Sequence, residues 1–309
     1  MRFLRSLVMA STVLLPIAAT VQGAETRGAE TRPTEMATPR LGLSGISYAP
    51  YQRGQDPNRG DAPTAEQVAR DVALMAPHCR GLRTYAASNG SQHVPPAAAR
   101  EGLRVVQGAW ISHEPAWNAA ELDRLVALSR NHPGAVTRLL VGNEAIWRAD
   151  VRPDELAAMM AQARARTGLP VSTSEPWHVW LKTPALAEAA DFLAVHLLPY
   201  WDGVPAEQAP AYLLGRIEEL RRAYPGKPVV VTEIGWPRQG PVRGGAVPSP
   251  GNQELFLDLW RDATRGTDLE WYWLEGFDQP WKDVEEAGLG GHWGLWHADR
   301  GPAVRQLRN

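Results

Sequence analysis

The chain has 309 residues, and its 32 lysines and arginines nearly balance its 34 aspartates and glutamates. No basic run exceeds a few residues, so nucleic acid and anionic membrane surfaces are poor partners. A single cysteine, Cys79, excludes an internal disulfide and reads as a small buried hydrophobe.

At the N-terminus, Arg2 and Arg5 precede an apolar stretch from Leu7 to Ala19, followed by small residues around Gly23 and Ala24. That pattern predicts a secretory signal peptide over residues 1–24 and a secreted or periplasmic product. The stretch is well short of the ~20 residues that span a bilayer, and no later segment is both long and uncharged enough, so no membrane span is expected. A perfect tandem repeat, GAETRGAETR, runs from Gly23 to Arg32, and a Pro- and Thr-containing stretch continues to Arg40. Neither has an apolar periodicity, and residues 25–40 are expected to be a flexible leader. Residues 41–309 contain no comparable linker and match the ~250 residues typical of a single α/β barrel domain.

Within that domain, β-rich runs alternate with helical segments. In chain order the runs are Leu43 to Tyr48, Gly81 to Tyr85, Leu103 to Ala109, Thr137 to Gly142, Pro170 to Thr173, Phe192 to Leu198, Pro228 to Thr232 and Leu269 to Leu274. Thr64 with Gln67 and Asn118 with Glu121 have capping-box spacing, and Pro153 and Pro250 stand where first helical turns begin. Eight such runs separated by helices predict a closed (β/α)8 TIM barrel rather than an open doubly wound sheet. In such a barrel the chemistry sits at the C-terminal strand ends.

Three of those ends carry a carboxylate: Glu144 after LLVGN, Glu175 after STS and Glu233 after VVVT. A charge closing an apolar strand has no packing role, because burying it unpaired is costly. Function or a local ion pair remains. Two carboxylates roughly 5 Å apart across a barrel mouth can form a covalent glycosyl intermediate on one side and protonate a leaving oxygen on the other. The 13 tryptophans fit that chemistry, since an indole face suits the C–H face of a pyranose; many of them follow predicted strands. The eight histidines include no compact ligand pair, so no metal is expected, and His196, inside an apolar run, reads as a core residue. GLGGHWG from Gly288 lacks the lysine of a phosphate loop, and no cofactor is expected.

The combination of Asn143-Glu144 with Glu233-Ile234-Gly235-Trp236-Pro237 resembles clan A glycoside hydrolases, specifically bacterial members of glycoside hydrolase family 17. GISYAPY from Gly45, LRTY from Leu82, LLPYWDG from Leu197, VPSPGNQ from Val247, FDQPWK from Phe277 and HWGLW from His292 extend the resemblance across the domain in the right order. The resemblance implies retaining cleavage or rearrangement of β-1,3-glucan, with Glu144 as acid/base and Glu233 as nucleophile. It implies that Asn143 binds the sugar 2-hydroxyl, that Tyr200 orients Glu233, and that Tyr48 and Tyr85 line the cleft floor. Glu175, Trp177, Trp180 and Trp201 read as substrate-binding, Trp236 as substrate-binding or structural, and Lys282 as a partner of Glu275 at the rim. Plant and fungal patterns carry an acidic residue where this chain has Gln279, which affects specificity rather than reaction class. Endo-glucanase and glucanosyltransferase both remain open, with a non-catalytic glucan-binding protein as the alternative from another class. No protein partner is inferred.

Overall fold

A computed structural model describes residues 40–283 and 288–307. The expected signal peptide and leader lie outside the described residues except for Arg40, whose N–H donates to the Pro77 carbonyl. Eight parallel strands close into a barrel in sequence order: β1 (Gly45–Ser47), β2 (Gly81–Arg83), β3 (Arg104–Ala109), β4 (Val136–Asn143), β5 (Val171–Pro176), β6 (Leu193–Leu197), β7 (Val229–Ile234) and β8 (Glu270–Trp273). Pairing of Gly45 with Tyr272 and of Ile46 with Trp273 joins β8 to β1 and leaves no sheet edge. Around the barrel run α1 (Ala65–Met75), α2 (Val94–Arg100), α3 (Pro115–Asn131), α4 (Pro153–Thr167), α5 (Trp177–Lys182), α6 (Pro184–Ala189), α7 (Ala209–Ala223) and α8 (Pro250–Ala263).

The strands are apolar runs because both faces are covered: helices pack outside, and side chains fill the inside. All six residues of β7 are buried, including Glu233. The separate cluster of Val106, Leu140, Phe192, Ala194, Val230 and Tyr272 draws on β3, β4, β6, β7 and β8, with Phe192 just before β6, and fills the barrel interior. Tyr272 needs the absence of a side chain at Gly45, where a Cβ would sit 2.3 Å from its ring.

Helix starts follow local chemistry where local partners exist. Thr64 Oγ1 accepts from the Gln67 N–H while Gln67 Oε1 accepts from the Thr64 N–H, completing the expected capping box. Pro153 and Pro250 occupy the first turns of α4 and α8. Asn118 and Glu121, by contrast, lie inside α3, which Pro115 starts earlier. Asn118 bonds both backbone groups of Ser112, and Glu121 accepts from the N–H groups of Ala87 and Trp110. Their spacing serves tertiary bonds to neighbouring loops rather than a cap. β5 also runs beyond the expected Thr173, because Glu175 and Pro176 stay in register with Val195 and His196 of β6. Among the described residues no helix is long and apolar enough to cross a membrane.

Candidate active site

β4, β6 and β7 deliver three titratable groups to one end of the barrel. Glu144 follows the last residue of β4, Glu233 lies on β7, and His196 on β6 pairs in register with Glu233. One carboxylate oxygen of each glutamate and a ring nitrogen of His196 lie within 4.8 Å of one another. His196 Nδ1 is 2.8 Å from Glu144 Oε1 and 3.4 Å from Glu233 Oε2. Retaining glycosidases hold their two carboxyl groups about 5–5.5 Å apart, whereas inverting ones leave room for a water between them.

The backbone turns sharply to present Glu144. Gly142 has φ +96°, a conformation that glycine adopts freely, and Glu144 itself has φ +54°. For a residue with a side chain that left-handed geometry costs on the order of 1–3 kcal/mol and persists only where the surroundings enforce it. Here they do: the Glu144 N–H donates to the Ser174 carbonyl at 2.7 Å, and the Arg148 N–H donates to the Glu144 carbonyl at 2.8 Å.

Charge is arranged around both carboxylates. Arg83, fully buried at the end of β2, donates to Glu233 Oε1 at 2.9 Å and to Asn143 Oδ1, and its guanidinium stacks 3.9 Å over the Tyr85 ring. Burial, then the Glu233 charge, hold the Tyr85 phenol well above its ordinary pKa, so it stays protonated beside the carboxylate. Burial pushes the Glu144 carboxyl up. The His196 hydrogen bond and charge, with Arg148 and Arg83, outweigh that and leave it below its ordinary value. Glu144, His196 and Glu233 are also spaced as ligands of a cation would be, but Arg83 and Arg148 already place positive charge against these carboxylates.

A cleft of ≈ 1010 Å³ opens over this cluster. Of the residues expected there, Asn143, Glu144, Glu233, Tyr85, Trp177, Trp201 and Lys282 line it. Six others do not, and each has a different employment. Tyr48 is buried and donates to Asp71, so it is no part of the cleft floor. Tyr200 donates to the Pro241 carbonyl rather than orienting Glu233, a task that falls to Arg83. Trp180 is in the core with its indole N–H on the Ala194 carbonyl. Trp236 is likewise buried, donates to the Val247 carbonyl and packs on Phe256. Glu175 has no exposed surface and accepts from the backbone N–H groups of Ile146 and Trp147. Glu275 is buried beneath Lys282, whose ammonium lies 3.0 Å from both its oxygens. At the departure from the plant and fungal pattern, buried Gln279 donates to the Ala49 carbonyl and accepts from the Trp281 indole. An ionised carboxylate could not donate to Ala49.

The sequence-based expectations assigned no site role to Arg83, which contacts Glu233, or to His196, Arg148, Trp110 and Trp293, which line the cleft. Arg83 stands in the quoted LRTY segment, where a charge closing β2 carries the same signal as the glutamates did. His196 gave none, because an apolar run conceals which of its members faces the mouth.

A closed (β/α)8 barrel whose mouth sets two carboxylates at this spacing, in a cleft rimmed by indoles, defines a glycoside hydrolase. The chain belongs to the BtgE/BtgC glycoside hydrolase domain family, whose pattern matches residues 45–294. The probable β-glucosidase btgE of Aspergillus flavus is 31% identical over 258 residues, covering 74% of this chain and 41% of that protein. This chain therefore spans less than half the length of that relative. The glucan 1,3-β-glucosidase of Arthroderma benhamiae is 27% identical, covering 75% of this chain and 82% of its own. In structure, the glycoside hydrolase family 17 β-1,3-glucanosyltransferase of Rhizomucor miehei superposes with a TM-score of 0.75 at 25% identity, over 85% of this chain and 97% of that one. These likenesses support the resemblance to family 17 carried by the motifs.

Proposed function

We propose that the protein is an exported retaining glycoside hydrolase that cleaves β-1,3-glucan and transfers glucosyl units to sugar acceptors. The observation that carries this reading is the approach of Glu144 and Glu233 across the barrel mouth, within 4.8 Å. Glu233 attacks the anomeric carbon while Glu144 protonates the leaving oxygen, and the resulting glycosyl ester is released when Glu144 deprotonates an incoming hydroxyl. Asn143 Oδ1 accepts from Arg83, which leaves its amide N–H groups for the sugar 2-hydroxyl. Likeness to a glucan 1,3-β-glucosidase and to a β-1,3-glucanosyltransferase supports the linkage. Trp147, 57% exposed, and Trp201, 38% exposed, supply apolar faces in the cleft on which an acceptor ring can stack. The N-terminal pattern over residues 1–24 supports export.

Laminari-oligosaccharides of one length provide the test. The first products seen by proton NMR are expected to be β-anomers, and mass spectrometry at high substrate concentration should find chains longer than the starting material. α-Anomers at the earliest time would overturn retention. Shorter chains alone, at every concentration, would remove transfer and leave a hydrolase. A chain that releases no sugar at all would be a glucan-binding protein instead.

The pH profile supplies a second expectation. Glu144 must be protonated to act as acid, and His196 lowers its pKa, so the acid form is lost earlier as pH rises. His196→Leu removes the lowering partner, and the alkaline limb of kcat/KM should move to higher pH. A limb that stays in place, or moves toward acid, would show that His196 does not set it.

A further inference from the structure

Glu175 is a buried carboxylate that the reaction does not touch. It has no exposed surface, does not line the cleft, and among the described residues has no ion-pair partner. Burial pushes its pKa up to about 7. An amide or a hydroxyl would satisfy a backbone N–H there at far lower cost than a charge. What Glu175 does hold is specific: Oε1 accepts from the Ile146 N–H at 2.9 Å and Oε2 from the Trp147 N–H at 3.2 Å.

Those two amides belong to the turn that starts at Glu144. The Arg148 N–H bonds back to the Glu144 carbonyl and the Asp150 N–H to the Ala145 carbonyl. As at the start of any helical turn, the leading N–H groups find no partner inside the turn itself. β5 supplies the partners from outside, through two consecutive residues. The Ser174 carbonyl takes the Glu144 N–H, and the Glu175 carboxylate takes the next two it can reach. One carboxyl group bridging two successive amides fixes the direction of the turn as well as its place. The turn needs such a restraint, because Glu144 is held at φ +54°. From that backbone its side chain meets His196 and the cleft.

We propose that Glu175 is a positioning residue for the acid/base, a carboxylate clamp on the Ile146 and Trp147 amides that holds the Glu144 turn in its reactive orientation. The inference rests on the reading of Glu144 as acid/base. It distinguishes Glu175 from a merely structural residue by which step it controls: proton donation to the leaving oxygen, and not the attack by Glu233.

The test uses Glu175→Gln in the full chain, with two β-1,3-linked substrates. One is a laminari-oligosaccharide, whose departing sugar needs a proton. The other is a dinitrophenyl β-laminaribioside, whose departing phenolate does not; its first-turnover phenolate release reports attack by Glu233 alone. Gln keeps the size of the side chain but turns an N–H₂ toward one amide. Loss of alignment is expected to lower kcat/KM on the oligosaccharide by about 10- to 100-fold, while first-turnover phenolate release stays near that of the unaltered protein. Placed in a Glu144→Ala background, Glu175→Gln should add no further loss on the oligosaccharide, because its effect runs through a group already gone. Equal losses on both substrates, no loss on either, or a further loss in the double variant would each overturn the proposal. A Glu144→Ala variant that cleaves the oligosaccharide at full rate would instead remove the acid/base reading beneath it. If Glu175→Gln does not fold at the assay temperature, Glu175→Asp, which keeps the carboxyl group and shortens the reach, must show the same split between substrates.

Discussion

Glu233→Ala is expected to lose on the order of 10⁴-fold or more in turnover of β-1,3-gluco-oligosaccharides, and of activated aryl glycosides equally. The reason is that, among the described residues, the carboxylates lining the cleft are Glu233, Glu144 and the exposed Asp202, and only the first two meet at the barrel mouth. Glu175 and Glu275 are fully buried and outside the cleft, and Glu144 faces Glu233 across it, where the proposed mechanism makes it the proton donor. Losses of this size are usual when a covalent nucleophile is removed. Glu144→Ala should behave differently. It should lose about 10²- to 10⁴-fold on an unactivated glucan, the ordinary contribution of a general acid, yet keep much of the first-turnover attack on a dinitrophenyl glycoside. Azide separates the roles further. In Glu233→Ala it enters the space left by the side chain and attacks the β-glycoside directly, giving an α-glycosyl azide by a single inversion. In Glu144→Ala it attacks the ester on Glu233 from the opposite face, giving the β-azide by two. Product NMR reads the difference, and the reverse pair of anomers would exchange the two assignments.

How much of this was legible in sequence depends on the range over which each residue's partners lie. The barrel was legible because a parallel strand covered on both faces must be apolar along its length. β7 is the clearest case: VVVTEI is entirely buried. The placement of Glu144 and Glu233 in the cleft was legible for the converse reason, as charges that no packing explains. Glu175 carried an identical local signal and was read as substrate-binding, yet its carboxylate turns into the protein. The donors that satisfy it, Ile146 and Trp147, lie 29 and 28 residues away, so no local pattern could reveal them. The aromatics failed similarly. A tryptophan near a strand end can stack in the cleft, as Trp177 and Trp201 are placed to do, or fill the space under a helix, as Trp180 and Trp236 do. Burial of the ring satisfies either position, and only the nonlocal fate of the indole N–H separates them. His196 was hidden most completely. It faces Glu233 through a register irregularity between β6 and β7 at Val195 and His196, a feature of strand pairing that β6 alone does not encode.

Arg83→Met should be the most destabilising change in the site. Methionine can occupy much of the same volume, so the expected loss comes from charge rather than from a cavity. The guanidinium is fully buried and pairs with Glu233 at 2.9 Å; Glu233 is itself only 6% exposed. Desolvating both groups is costly, but once both are inside the protein each is the main compensation for the other. Removing one partner of a buried pair typically costs about 3–5 kcal/mol, because the remaining charge is left without compensation. For a domain of this size that corresponds to a fall in Tm of roughly 10 °C. Activity should fall as well, since Glu233 loses the contact that orients it and Asn143 loses the partner of its Oδ1. A second substitution separates the two effects. Arg83→Met combined with Glu233→Gln removes both charges, and thermal unfolding followed by circular dichroism should show much of the lost Tm restored while activity stays absent. A double variant no more stable than Arg83→Met alone would show that the buried Glu233 charge is not the source of the instability. It would place the contribution of Arg83 instead in its stacking on Tyr85 and its bond to Asn143.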